Sequence, residues 1–123
     1  MLYVVLCTML MYLIHLALPK ILTYKNHRDF YPIQVRLAND SNIPDYVSRM
    51  YSATKNLQES LPIFFACAVL SIVMEVDSLS YALTWLILRI IYFLCYAYKL
   101  NPYRSIVWMG SIICLILMAI NLI

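Results

Sequence analysis

The amino-acid sequence predicts an all-α integral membrane protein, a bundle of four transmembrane helices, on three observations. Hydrophobic residues make up 64% of the chain and mean hydropathy is +0.80, against about 45–50% apolar residues in soluble domains. The apolar residues fall in four long runs, each of a length suited to crossing hydrocarbon. The basic residues flank these runs, and the formal net charge is only +3, a pattern of membrane orientation and not of nucleic-acid binding. A single domain of 123 residues cannot hide so much apolar surface in a core of its own. The bilayer is therefore the solvent for most of it.

The spans are expected at about 2–22, 46–74, 79–98 and 104–123, with a polar loop over 23–45. The first run lacks a basic leader and a small-residue cleavage site, so it reads as a retained helix. His15 lies within it, and hydrogen bonding to a neighbouring helix is its expected role. The loop carries Pro32, Pro44 and the run Asn39-Asp-Ser-Asn42. Its length suggests a functional or partner-contacting segment. Pro44-Asp45 is a helix-start signal, and Pro62 marks a kink. Glu75, Asp77 and Ser78 form the next turn, 99–104 the last. Gly110, the single glycine, permits close helix approach. Cys7, Cys67, Cys95 and Cys114 sit in separate apolar runs without metal or redox spacing and are expected buried and unpaired.

Eight of the nine Lys and Arg residues, all but Arg89, fall on one side of this layout, whereas Glu75 and Asp77 lie on the other. Positive-inside asymmetry puts the basic side, with the 23–48 and 99–104 loops, in the cytoplasm and both termini outside.

Two polar stripes carry the chemistry. At 100° per residue, Arg49, Ser52, Asn56 and Glu59 share an arc of roughly 80° on the second helix. Arg89, Tyr92, Tyr96 and Lys99 do the same on the third. Counting at about 1.5 Å per residue places Asn56, Glu59, Tyr96 and Arg104 at similar heights, with Arg89 about 15 Å below the cytoplasmic surface. A charge at mid-bilayer costs about 2.5–3.5 kcal/mol on insertion scales, so Arg89 is expected to pair with Glu59, in one subunit or across two. Arg104 and Lys55 suit carboxylates, Asn56 offers donor and acceptor, and Glu59 suits an ammonium, which together fit an anionic, peptide-like ligand. A guanidinium or phenol beside a thiol favours the thiolate. The same pattern also fits stripes that merely join helices.

These residues resemble the MAPEG family, the membrane-associated proteins of eicosanoid and glutathione metabolism. The matching features are Arg49, Asn56, Glu59, Pro62 and Phe64 on the second helix, and Arg89, Tyr92 and Tyr96 on the third. Pro102-Tyr-Arg104-Ser105 opens the fourth, and Asn26-His-Arg28-Asp29 looks like a motif of bacterial members. The resemblance implies a homotrimer in which glutathione, as co-substrate, lies in a cytoplasm-facing cleft between protomers. It implies that Ser52, Lys55, Asn56, Glu59, Arg89, Tyr92 and Tyr96 surround the ligand. Arg104 would activate the glutathione thiol with help from Ser105. A lipid-facing mouth would admit a small apolar electrophile or lipid hydroperoxide. Ser52 stands where glutathione-using members commonly have Arg, and Lys55 is the nearest replacement charge. The alternative reading is a non-catalytic protein that binds a lipid or quinone-like molecule, or an accessory subunit of a larger membrane complex. Neither reading involves a metal or a nucleic acid.

Overall fold

A computed structural model describes the backbone of residues 1–26 and 45–123 and the side chains of 1–21 and 47–123. The loop reading, including Pro32, Pro44 and the His27–Asp29 part of the motif, lies outside the described residues. Four helices account for nearly all of what is described: α1 (Leu2–Asn26), α2 (Asp45–Val73), α3 (Leu79–Ala97) and α4 (Asn101–Asn121). Each contains a stretch long and apolar enough to cross a membrane, and only 22–39% of each stretch is buried inside the protein. The remainder is outward-facing Leu, Ile, Val and Met. A helix that is apolar on its outer face as well has lipid as its solvent, and the chain is an integral, multi-pass membrane protein.

The turns between α2 and α3 and between α3 and α4 are built alike. Leu100 N–H reaches Cys95 C=O at 2.9 Å and Lys99 N–H reaches Tyr96 C=O at 3.4 Å; Val76 N–H reaches Ser71 C=O at 3.0 Å and Glu75 N–H reaches Ile72 C=O at 3.4 Å. This paired pattern is the Schellman helix stop, which needs a left-handed residue just past the helix end. Glycine usually takes that position, but here Glu75 (φ 56°) and Lys99 (φ 57°) do. The α3–α4 turn is therefore tight. α4 begins at Asn101, with Pro102 in its first turn, where the missing N–H of proline leaves no bond unmade.

The centre of the bundle is aromatic. Phe64 of α2 and Trp85 of α3, both fully buried, stack with centroids 4.1 Å apart and planes 11° apart. Leu57, Leu61, Ala68, Leu86, Leu115 and Met118 surround them, and Val4 and Met11 contribute from α1. α3 and α4 share the longest contact. A Cβ at Gly110 would lie 3.3 Å from Leu88 Cδ1, so glycine lets these two helices approach closely.

Most serine and threonine hydroxyls in the spans are satisfied locally. Those of Thr8, Ser60, Ser71, Thr84 and Ser111 each donate to a carbonyl three or four residues back. Thr54 does more. Its Oγ1 is 2.9 Å from Met50 C=O and 3.1 Å from His15 C=O across the α1–α2 interface. The His15 carbonyl is available because the residue four positions on is Pro19, which has no N–H to close the helical bond. Thr54 supplies the proton that the proline lacks. The imidazole itself behaves differently from expectation: its Nδ1 bonds Met11 C=O of its own helix at 2.8 Å, and the ring lies 4.2 Å from Phe93. A second correction concerns Cys7, which is exposed, whereas Cys67, Cys95 and Cys114 are buried; all four are free thiols.

Candidate functional site

The site lies at the end of the bundle that carries the α3–α4 turn. Asn56 is in the first half of α2, Tyr92 and Tyr96 are in the last turns of α3, and Arg104, Ser105 and Trp108 are in the first turns of α4. These six residues line an open-mouthed cleft of about 290 Å³. Tyr92 is buried and its ring lies 5.6 Å from that of Tyr96. The Arg104 guanidinium carbon stands 4.7 Å from the Tyr96 ring centroid. That cation–π contact holds the half-buried arginine across the cleft mouth.

Behind the cleft, Arg89 is 2% exposed. Its Nη1 donates to Asn56 Oδ1 at 2.7 Å, short enough for a charge-assisted bond. The guanidinium carbon is 5.5 Å from the Trp85 ring centroid and 5.8 Å from that of Tyr92. Arg89 Nε and Nη2 and Trp85 Nε1 are buried without a hydrogen-bond partner among the described residues.

The expected Arg89–Glu59 pair is not formed within the chain; Asn56 takes that place and Glu59 is exposed. The reason is angular. Leu57, Leu61, Phe64 and Ala68 set the buried ridge of α2. At 100° per residue Asn56 lies about 110° from that ridge, whereas Glu59 lies about 170° from it, almost opposite.

Of the sequence-derived set, the structure brings Asn56, Tyr92, Tyr96, Arg104 and Ser105 together, with Arg89 supporting them from behind. Ser52 and Lys55 are exposed on α2 outside the cleft lining, and the Ser52 hydroxyl returns to Ser48 C=O at 3.1 Å. Trp108 is a lining residue that the polar stripes do not reveal. Its spacing does reveal it: four residues after Arg104 and three after Ser105, it must share their face of α4.

Chemically, the lining combines an arginine, an amide, three hydroxyls and an indole N–H, with no carboxylate in it among the described residues. In the low dielectric of a bilayer such a set suits an anionic group. Polar groups along the lining and the partly exposed Trp108 indole suit a molecule that is charged at one end and apolar at the other.

An integral membrane protein with four helices and a cationic, aromatic-walled cleft where three of them converge is the class that fold and site define. Within that class, the chain belongs to the MAPEG family, whose sequence profile matches residues 1–123. The family includes glutathione-dependent transferases and peroxidases. No curated protein and no solved structure matches the chain.

Proposed function

We propose that this protein is a glutathione-dependent transferase or peroxidase that acts on lipophilic electrophiles or lipid hydroperoxides at the membrane. The observation that carries this reading is the convergence of Asn56, Tyr92, Tyr96, Arg104 and Ser105 from three helices on one cleft, in a member of a family that uses this chemistry. Asn56 and Arg104 suit the carboxylates and carbonyls of the tripeptide. The Arg104 guanidinium, with the Ser105 hydroxyl, favours the thiolate over the thiol. The thiolate then attacks an electrophilic carbon and displaces its leaving group. With a hydroperoxide it attacks the terminal oxygen: the O–O bond breaks, sulfenic acid forms, and the alkoxide leaves as alcohol after taking a proton. A second glutathione converts the sulfenic acid to disulfide and water. Trp108 and the outward apolar faces of α3 and α4 supply the approach for a lipid-borne partner.

The active form is a homotrimer with the cleft completed by a neighbouring protomer. A volume of about 290 Å³ is at the lower end of the range of about 300–1,000 Å³ usual for ligand sites, and the mouth is open. Lys55, Gln58 and Glu59 are exposed on α2. Glu59 lies about 24 Å along the helix from Glu75, within the thickness of the hydrocarbon. A carboxylate facing acyl chains is costly, which favours a second protein surface there. The cleft opens to the cytoplasm, and both termini lie on the other side.

The test is ultraviolet difference absorbance of the glutathione thiolate on adding glutathione to the purified protein. The reading requires a saturable thiolate signal, weaker in Arg104→Ala. No signal at millimolar glutathione would sink it.

A further inference from the structure

Arg89 is not part of the cleft lining, yet it controls what one wall of the cleft presents. A guanidinium carries only hydrogen-bond donors. Its contact with Asn56 at 2.7 Å therefore fixes which end of that amide faces α3: the oxygen must meet Arg89, because turning the NH2 inward would set donor against donor. Amide orientation is set by such networks, and this network has one solution. With Oδ1 turned to Arg89, Nδ2 is the end of the amide that faces away from it, and it can only donate. Arg89 has no carboxylate hydrogen-bonded to it among the described residues, and its Nε and Nη2 are unpartnered. The guanidinium polarises the amide it touches.

We infer that Arg89 is a positioning residue acting through Asn56. It locks the α2 wall of the cleft as a hydrogen-bond donor, so that the wall receives the carboxylate or carbonyl end of the ligand and turns away an ammonium. This deepens the glutathione reading by assigning the polarity of one subsite, and it rests on that reading only for the identity of the ligand. The amine of a peptide ligand must then find its partner elsewhere than Asn56.

Asn56→Asp is the informative variant. It keeps the size of the side chain and gives Arg89 an acceptor, but it replaces the cleft-facing donor with a carboxylate oxygen. Tryptophan fluorescence, to which Trp108 in the cleft wall contributes, reads binding of three probes: glutathione, decanoate and decylamine. The wild-type protein should favour decanoate over decylamine by at least tenfold. Asn56→Asp should lose glutathione affinity at least tenfold and lose or invert the decanoate preference, with thermal stability maintained. Arg89→Lys, which still only donates, should retain glutathione affinity within about threefold, whereas Arg89→Met should not. Equal binding of decanoate and decylamine to the wild type, or an unchanged preference in Asn56→Asp, overturns the inference. It is also overturned if Arg89→Met folds and binds as the wild type does. A wild type that ignores glutathione but favours decanoate in an Asn56-dependent way sinks the glutathione reading and leaves the polarity assignment standing.

Discussion

Thr54→Val tests the hydrogen bond from α2 to the His15 carbonyl of α1, one turn before Pro19. The substitution keeps the branched shape and removes the hydroxyl proton that Met50 C=O and His15 C=O share at 2.9 and 3.1 Å. The Met50 carbonyl keeps its ordinary helical donor, but the His15 carbonyl, opposite Pro19, has no helical N–H to fall back on. An orphaned buried carbonyl costs about 1–3 kcal/mol in a soluble protein. Interhelical hydrogen bonds measured in membranes average about 0.6 kcal/mol and reach about 1.7. One proton divided between two acceptors argues for the lower range, so the expected loss is about 0.5–1 kcal/mol. Pro19→Ala restores the missing N–H to the helix. In that background Thr54→Val should cost close to nothing, which makes the coupling energy of the double-mutant cycle equal to most of the single-mutant loss. Reversible unfolding in mixed micelles, titrated with a denaturing detergent and followed by tryptophan fluorescence, gives the four stabilities. An identical cost of Thr54→Val with and without Pro19, or no cost at all, refutes the reasoning.

Lys99→Gly and Glu75→Gly should each raise stability by about 0.5–1 kcal/mol in the same unfolding assay, because each replaces a side chain held at positive φ in a Schellman stop. Trp85→Ala should destabilise the bundle by about 3–5 kcal/mol through loss of the stack on Phe64 and the void left behind; its effect on ligand binding should follow the loss of fold. Single cysteines at Lys99 and Asp77, in a protein whose native cysteines are replaced, should react with a membrane-impermeant maleimide from opposite sides of sealed vesicles. Lys99 should react from the cytoplasmic side, and the reverse pattern contradicts the orientation derived from the charges.

The four spans were legible because bilayer thickness imposes a length and a hydropathy that no local detail can disguise. Asn56, Tyr92, Tyr96 and Arg104 were legible because spacings of three and four put polar groups on one helix face, and depth counting brought those faces level. Pairing within the site was harder to read. Coulomb attraction favours Glu59 for Arg89, but charge alone does not tell which of two residues 60° apart on a helix turns toward its neighbour. The ridge Leu57, Leu61, Phe64, Ala68 contains that information, and it points Glu59 away from the core. Trp108 escaped a search for polar stripes because an indole reads as apolar, although its register with Arg104 and Ser105 marks it. The helix stops at Glu75 and Lys99 carry no glycine signal. Only backbone geometry discloses them, and with them the early start of α4 that brings Arg104 over Tyr96.

The central claim is that the cleft at the α3–α4 turn recognises the anionic groups of glutathione. It is tested most directly by equilibrium titration of the purified protein with glutathione and with its diethyl ester, in which both carboxylates are capped. The account predicts saturable binding of glutathione and at least tenfold weaker binding of the diester. Equal affinity for the two compounds, or binding of neither, would contradict it.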